Sequence, residues 1–338
     1  MRPRVHCARE APIAPAADDK TGRYADHHGM PTTTNIIETR GLVKRFGARA
    51  AVTDVNLTVP RGSAFGFLGH NGAGKTTLIR MLLGLTDADA GSMRIAGRPV
   101  PEERAAVLAR VGAIVEEPHF HRHLTGRENL RVIAAVRGPE ARGRIEGALR
   151  RVGLTDRGDD RVRTYSQGMR QRLGVARCML ADPELLILDE PMNGLDPGGI
   201  LEFRTMIGEL TGEGRTVFLS SHLLDEVEKT CDAAAVIDRG RIIAQGPISE
   251  LVQDEHNEID IGCDDRHAAL DLLDGHSSVA AAYPTPDGIR VTMAGIDGAA
   301  AINARLVTGG ILVSRLEPVR ESLEQRFLEM TSRVGGQP

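Results

Sequence analysis

Short runs dominated by apolar residues punctuate the chain and predict buried strands. These runs lie at residues 64–68, 111–115, 185–188 and 216–220. They are too short for helices, and the run at 185–188 is apolar at every position, as expected of a central strand in a parallel sheet. The first run is followed by Leu78, Leu82 and Leu85 at helical spacing. The alternation of such strands with helices indicates an α/β fold.

The sequence pattern of residues 127–180 predicts that they are helical. Candidate helices lie at residues 128–137, 141–152 and 166–180, separated by segments that contain glycine or proline. They indicate an all-helical insert at about residues 117–180, inside an α/β domain that covers residues 35–254.

The composition becomes polar near residue 254, and a small α+β accessory domain is predicted at residues 258–338. Candidate strands lie at residues 258–261, 288–293 and 310–314, and candidate helices at 266–273 and 298–307. One helical face near the C-terminus carries Leu316, Val319, Leu323, Phe327 and Met330. At the other end, residues 1–34 are rich in Ala, Pro, Arg and Asp without periodicity, which predicts a disordered N-terminal extension. A genuine tail and a translation start at Met30 both remain open.

The bulk composition narrows the function classes. With 338 residues the chain is long enough for about two domains. A net charge of −4, only 3% aromatic residues and no Trp argue against a nucleic-acid partner. Four cysteines lie far apart and fit no metal spacing, which is typical of reduced thiols in a cytosolic protein. Since no apolar run is long enough to cross a bilayer, any role in a membrane process requires a partner.

A glycine-rich loop between the first apolar run and the first helix predicts a phosphate-binding site. Glycines in such a loop let the backbone turn tightly and approach a polyphosphate. The loop N–H groups and the helix N-terminus then attract the anion. Lys75 would reach the β and γ phosphates, and the Thr76 hydroxyl would hold Mg²⁺. The candidate nucleotide-binding residues here are Gly69, His70, Asn71, Gly72, Ala73, Gly74, Lys75, Thr76 and Thr77.

Two carboxylates close the run at 185–188, where the ligand crevice of an α/β fold is expected. Asp189 would support Mg²⁺, and Glu190 could take a proton from an attacking water. Ser166 is a good helix N-cap and could help to hold a phosphate at that helix N-terminus. Taken alone, His222 and Glu116 each have a plain structural or surface interpretation, and Phe46 is more typical of a core residue than of a base-stacking one.

These motifs, taken in order, resemble the nucleotide-binding subunit of an ABC transporter from about residue 36 to residue 251. The loop at 69–76 resembles Walker A, and residues 185–189 resemble Walker B. The resemblance implies an adenine-stacking aromatic at Phe46, a Q-loop carboxylate at Glu116, a catalytic glutamate at Glu190 and a switch histidine at His222. It also places Ser166, Gln167 and Gly168 in the signature motif and Asp196 in the D-loop. The implied fold is a P-loop NTPase cassette, with a mixed sheet core and a helical subdomain.

The same resemblance implies how the protein works. ATP and Mg²⁺ would be bound and ATP hydrolysed between two cassettes, in a homodimer attached to a separate integral membrane permease. The site ligands implied for Mg²⁺ are Thr76, Glu116 and Asp189. The protein would be cytoplasmic and peripheral on the inner face of the cell membrane.

Departures from the usual ABC transporter motifs indicate which branch of the family the chain resembles. Glu116 replaces the usual glutamine, and residues 165–169 read Tyr-Ser-Gln-Gly-Met instead of Leu-Ser-Gly-Gly-Gln. Both features are similar to the bacitracin and lantibiotic exporters, which implies drug or peptide export and antibiotic resistance. A soluble cassette protein acting on ribosomes or DNA, or as a regulatory module, is the alternative. His119, His121 and His123 make a metal site conceivable, but they lie in the loop where the family contacts its permease.

Overall fold

A computed structural model describes residues 34–252, 258–294, 298–319 and 323–335. Apart from Thr34, the predicted N-terminal extension lies outside the described residues. The strands are β1 (Asn35–Phe46), β2 (Arg49–Val55), β3 (Thr58–Pro60), β4 (Ala64–Leu68), β5 (Ala90–Ile95), β6 (Arg98–Val100), β7 (Val111–Ile114), β8 (Leu185–Leu188), β9 (Thr216–Ser221), β10 (Ala233–Asp238), β11 (Arg241–Pro247), β12 (Glu258–Cys263), β13 (Val279–Thr285), β14 (Gly288–Met293) and β15 (Val313–Pro318). The helices are α1 (Lys75–Leu82), α2 (Arg104–Leu108), α3 (Gly126–Arg137), α4 (Pro139–Gly143), α5 (Ile145–Arg151), α6 (Gln167–Met179), α7 (Pro197–Gly212), α8 (Leu224–Thr230), α9 (Ile248–Leu251), α10 (Arg266–Leu273), α11 (Gly298–Thr308) and α12 (Leu323–Gly335).

The central sheet has six strands in the order β11-β10-β4-β9-β8-β7. All neighbours in it are parallel except the edge pair β10 and β11. Every residue of β4, β8 and β9 is buried, because strands covered on both faces need apolar side chains on both. The predictions of strands at residues 64–68 and 216–220 and of a central parallel strand at 185–188 are therefore confirmed. The carboxyl ends of β4, β8 and β9 meet at one edge of the sheet.

A second, antiparallel sheet has the order β2-β1-β5-β6, with β3 also paired to β1. Its residues Ile37 and Val59 share one apolar cluster with Phe65 of β4 and with Leu78 and Leu82 of α1. Helix α1 is thus buried among residues of both sheets, which fixes the helix that starts at Lys75. Strand β1 continues to Phe46, which pairs with Arg49 of β2.

The helical insert contains α3, α4, α5 and α6. A capping box starts α3: the Thr125 hydroxyl accepts from the Glu128 N–H, and the Glu128 carboxylate accepts from the Thr125 N–H. The single helix predicted over residues 141–152 is wrong: α4 ends at Gly143 and α5 starts at Ile145. Both halves bury an apolar residue, Ala141 and Ile145, in the same cluster, so the pattern stays continuous across the break.

Three cysteines in the described residues are free, Cys178, Cys231 and Cys263. Burial raises the pKa of the Cys178 thiol to about 11 and also raises the pKa of Cys231. Since the thiolate is the reactive form, both thiols stay protonated and inert near neutral pH. In the described residues, no helix has the length and apolar character that a membrane span requires.

The last sheet has the order β13-β14-β12-β15 and is antiparallel throughout. With α10 and α11 it follows a β-α-β-β-α-β sequence, the ferredoxin-like arrangement. It has its own apolar cluster, which includes Ile259, Ile289 and Ile302. The residue limits 35–254 and 258–338 for two domains stay a prediction.

The final helix differs from the prediction. Leu316 lies in β15 and Val319 comes before α12, so the helical face expected from Leu316 onward is wrong in its first two positions. Leu316 is covered by the last sheet's own cluster. In contrast, Leu323 and Phe327 of α12 belong to the cluster of the central sheet and helical insert. The last helix therefore packs away from the sheet that precedes it.

Candidate functional site

The loop between β4 and α1 owes its glycines first to the surrounding backbone. A Cβ at Gly69 would lie 2.4 Å from Ile237 O, and a Cβ at Gly74 would lie 2.4 Å from Ala51 O. Gly74 also has a φ of 114°, a conformation that side chains other than glycine rarely adopt. The close approach that glycine permits here is to the protein itself, in addition to any ligand.

Lys75 lies at the start of α1 and is only 5% exposed. Its Nζ donates to Gly69 O at 2.6 Å and forms an ion pair with Glu190 Oε1 at 3.0 Å. A buried ammonium held by a carbonyl and a carboxylate is charge-balanced, and a phosphate that binds it must compete with both acceptors.

A cavity of about 420 Å³ opens beside this loop. That size lies within the range of ordinary small-molecule sites. Its lining brings together predicted residues from distant parts of the sequence: Phe46, Asn71, Gly72, Gly74, Lys75, Thr76, Thr77 and Glu190. Arg49 and Ala51 also line it and were not predicted. Phe46 is 54% exposed, so the interpretation of it as a core residue is wrong. Lys44 Nζ lies 5.6 Å from the centre of its ring.

The two carboxylates at the end of β8 have different surroundings. Asp189 is buried and accepts from the Ser220 hydroxyl at 2.5 Å. Glu190 has a φ of 48°, and its backbone N–H donates to the same Ser220 oxygen at 2.9 Å. His222 Nδ1 lies 2.9 Å from Glu190 Oε2. The structure therefore gathers Lys75, Glu190 and His222, three candidates predicted from separate segments.

Ser220 was not predicted as a site residue. It lies on β9, next to β8, where Leu188 pairs with Leu219, and it is fully buried. A serine directly after the apolar residues 217–219 of a buried strand is the signal that could have identified it, because a buried hydroxyl needs a partner.

Glu116 lies outside the cavity lining. It follows β7 with a φ of 66°, its side chain is 64% exposed, and it forms an ion pair with Arg80 of α1. Arg80 was also missed. It lies four residues after Thr76 in α1, and the sequence alone does not show that this position faces the end of β7. As ligands, Glu116, Asp189 and Thr76 offer only oxygen atoms, the set that Mg²⁺ prefers.

The signature and D-loop residues form a separate, interlocked surface. Ser166 is the N-cap of α6 and accepts from the Met169 N–H, which confirms the predicted cap. The Gln167 amide donates to Asn193 O at 2.9 Å and packs on Gly194, whose Cβ would lie 2.5 Å from Gln167 Nε2.

Asp196 caps α7 by accepting from the Gly199 N–H at 3.0 Å. Ser166, Gln167, Gly168 and Asp196 are all described, and none of them lines the cavity beside Lys75. The fold of one chain thus unites only part of the predicted site.

The three histidines after Glu116 do not assemble a metal site. His121 and His123 stack edge to face with ring centres 5.9 Å apart. Within the described ranges, no group of three or more His, Cys, Asp or Glu side chains could hold a metal ion. His119, His121 and Phe120 instead line a cavity of about 250 Å³ with residues of α3.

Comparison with known proteins agrees with this geometry. The profile described as ABC transporter matches residues 52–193. The chain is 38% identical over 304 residues to the bacitracin transport ATP-binding protein BcrA of Bacillus licheniformis, which covers 90% of this chain and 98% of that protein. It is 40% identical over 235 residues to the Nod factor export ATP-binding protein I of Ralstonia nicotianae, covering 69% of this chain and 72% of that protein. Among solved structures, cbiO1 from Clostridium perfringens, part of the ABC transporter complex cbiONQ, gives a TM-score of 0.61 at 28% identity, covering 65% of this chain and 91% of that one.

Proposed function

We propose, from the premise that this chain belongs to the ABC transporter ATP-binding proteins, that the ATP it hydrolyses drives export of a drug or antimicrobial peptide through a separate membrane permease. The observation that carries the proposal is that Lys75 and Glu190 line the cavity that Phe46 borders, and that His222 contacts Glu190. The relatives named for bacitracin transport and Nod factor export support the direction of transport.

The residues of this chain would divide the chemistry as follows. Phe46 offers an exposed ring for the adenine, and the loop N–H groups with Lys75 bind the phosphates. Glu190 accepts a proton from the attacking water, and His222, hydrogen-bonded to Glu190, orients it. A phosphate that takes Lys75 from Glu190 would leave this carboxylate free to act as the base. When bound, Mg²⁺ neutralises charge on the phosphate oxygens, and Thr76, Asp189 and Glu116 would hold it.

We further infer that the working unit contains two cassettes, most simply two copies of this chain. Ser166, Gln167 and Asp196 lie outside the cavity of their own chain, so their predicted roles toward ATP require a second molecule. The pair would sit on the inner face of the cell membrane against the permease.

The test is made in a bacitracin-sensitive host that expresses the chain with the membrane protein encoded by an adjacent gene. Wild type is expected to raise tolerance to the peptide antibiotic and to sediment with membranes, whereas Lys75→Ala is expected to give no tolerance. If the purified chain hydrolyses ATP but neither sediments with membranes nor changes tolerance to any antibiotic tested, the exporter assignment fails and the ATPase remains.

Glu116→Gln is expected to separate nucleotide binding from ATP hydrolysis and its stimulation by the permease. The substitution removes the ion pair with Arg80, which lies at the surface and contributes no more than about 1 kcal/mol. ATP affinity should stay within about twofold of wild type, because the loop N–H groups and Lys75 still hold the phosphates. An amide can donate a hydrogen bond and binds Mg²⁺ less well than a carboxylate, so the ATPase rate or its stimulation by the permease should change. Glu117→Gln is the neighbouring control, and equal rates in both variants and wild type would assign Glu116 a plain surface role.

A further inference from the structure

The C-terminal helix α12 is attached to the ATPase core next to the site. Leu323 and Phe327 are 0% and 1% exposed, and they share an apolar cluster with Val227 of α8. The Leu323 N–H donates to Glu228 Oε2 of α8 at 3.1 Å. A carboxylate at a helix N-terminus is favoured by the helix dipole. Both apolar and polar contacts therefore hold the first turns of α12 against α8.

Phe327 also reaches the phosphate loop. Its ring meets the His70 ring edge to face, with centres 4.7 Å apart and planes inclined at 70°. An aromatic contact of this geometry contributes about 0.5–1.5 kcal/mol beyond area burial. His70 is otherwise exposed, so its contact with Phe327 restrains the position of its ring.

The backbone of His70 belongs to the internal hydrogen bonds of the loop. Its carbonyl accepts from the Ala73 N–H at 3.1 Å and lies 3.4 Å from Lys75 Nζ. A change in the position of His70 would therefore move the acceptor that Lys75 and Ala73 share. Phe327 is thus one residue away from the groups expected to bind phosphate.

The other contact of α12 leads to the same cluster. Helix α8 starts at Leu224, two residues after His222, and His222 contacts Glu190 as Lys75 does. Helix α12 hence bridges the phosphate loop and the segment that carries His222, and the relative position of these two elements sets the Lys75, Glu190 and His222 geometry.

We propose that Phe327 is a positioning residue for the phosphate loop: docking of α12 holds His70 in place and preorganises the loop for nucleotide. The proposal rests on the assignment of the loop as the ATP site. Since coupling between two binding events is reciprocal, nucleotide binding strengthens the docking of α12 in return. Helix α12 follows β15, whose end is tied to β12 by the Val319 N–H to Glu258 O bond. The last sheet is thereby linked to the nucleotide site through one helix.

The first experiment measures the equilibrium affinity for a fluorescent ADP analogue with Mg²⁺. Phe327→Ala is expected to weaken binding about 2- to 12-fold, which is the aromatic contact converted to a ratio of dissociation constants. Leu328→Ala on the same helix is the control, because Leu328 is 56% exposed, and it should bind as wild type does. Wild-type affinity in a folded Phe327→Ala variant would overturn the proposal.

A double-mutant cycle with His70→Ala separates positioning from simple destabilisation. If Phe327 acts through His70, Phe327→Ala should have no further effect on affinity in the His70→Ala background. If the two losses multiply instead, Phe327 acts by another route and the proposal is wrong. Failure of wild type itself to bind the analogue would refute the ATP site, an outcome distinct from either of these.

A fluorescence reporter tests the contact even if Phe327→Ala does not fold. The chain has no Trp, so Phe327→Trp introduces a single indole that keeps a large aromatic ring at the contact. Addition of Mg²⁺ and ATP should shift its emission, and the same addition should leave Leu328→Trp unchanged. An unchanged spectrum for Phe327→Trp at saturating ATP would show that α12 and the loop are not coupled.

Discussion

Glu190→Gln is expected to lower the ATPase rate by about 10²–10⁴-fold, the usual contribution of a general base, while ATP binding persists. Glutamine is nearly isosteric with glutamate, and the backbone bond from residue 190 to Ser220 does not depend on the side chain. What is lost is the charge that faces Lys75 at 3.0 Å and the capacity to take a proton from water. Since the carboxylate no longer competes for Lys75, affinity for ATP should stay equal or rise.

The measurements are single-turnover hydrolysis and sizing chromatography, each with Mg²⁺ and either ATP or ADP. The variant should form a dimer with ATP alone, and this dimer should persist longer than that of wild type. Glu213→Gln, at a surface ion pair with Arg151, is the control and should hydrolyse ATP normally. A normal rate in Glu190→Gln would exclude Glu190 as the base. A variant that loses hydrolysis yet stays monomeric with ATP would speak against pairing of identical chains.

Lys75→Ala should weaken ATP binding by about 10- to 150-fold, since it removes one charge-assisted interaction of about 1.5–3 kcal/mol with the phosphates. The substitution also leaves Glu190 without its cationic neighbour and Gly69 O without its 2.6 Å donor. Helix α1 should nevertheless form, because Leu78, Ile79, Met81 and Leu82 anchor it in the core.

The control for Lys75→Ala is Lys229→Ala, which removes a lysine half-exposed on α8 and paired with Asp225 in an i,i+4 contact. It should bind ATP as wild type does, because such pairs contribute about 0.3–0.5 kcal/mol. Both variants should retain their circular dichroism spectra. A folded Lys75→Ala variant with wild-type affinity would mean that the loop does not bind the phosphates through this lysine.

The sequence was sufficient for the parts of the molecule that local chemistry dictates. The fully apolar β8 could hardly be anything but a central strand, and the glycine-rich loop with Lys75 required a strand before it and a helix after it. The N-cap role of Ser166 could be predicted equally well, because serine is a preferred N-cap residue. In each of these cases the residues that decide the structure are neighbours in the chain.

Contacts across the fold were out of reach of such reasoning. Arg80 meets Glu116, and Ser220 joins Asp189 to the Glu190 backbone, because β7, β8 and β9 end at the edge of the sheet where α1 begins. Helix α7 was not predicted at all, although Asp196 and Pro197 form a standard helix start. Phe327 and His70 are 257 positions apart in the sequence, yet their rings are in contact. No periodicity in the sequence predicts this contact.

In the last sheet, the strand that comes first in the sequence, β12, pairs with the one that comes last, β15, and this pairing has an evolutionary and a practical consequence. The chain enters this sheet along β12 and leaves it along β15, and Ile259 lies opposite Pro318, roughly 5 Å away across neighbouring strands. The chain therefore leaves this sheet close to the point where it enters it. Removal or exchange of the sheet need not change the position of the helix that follows. A gene could acquire, lose or swap such a module while Phe327 still reached the phosphate loop. Transplanting another domain with adjoining termini between residues 252 and 323 is then a direct route to an ATPase that answers to a new ligand.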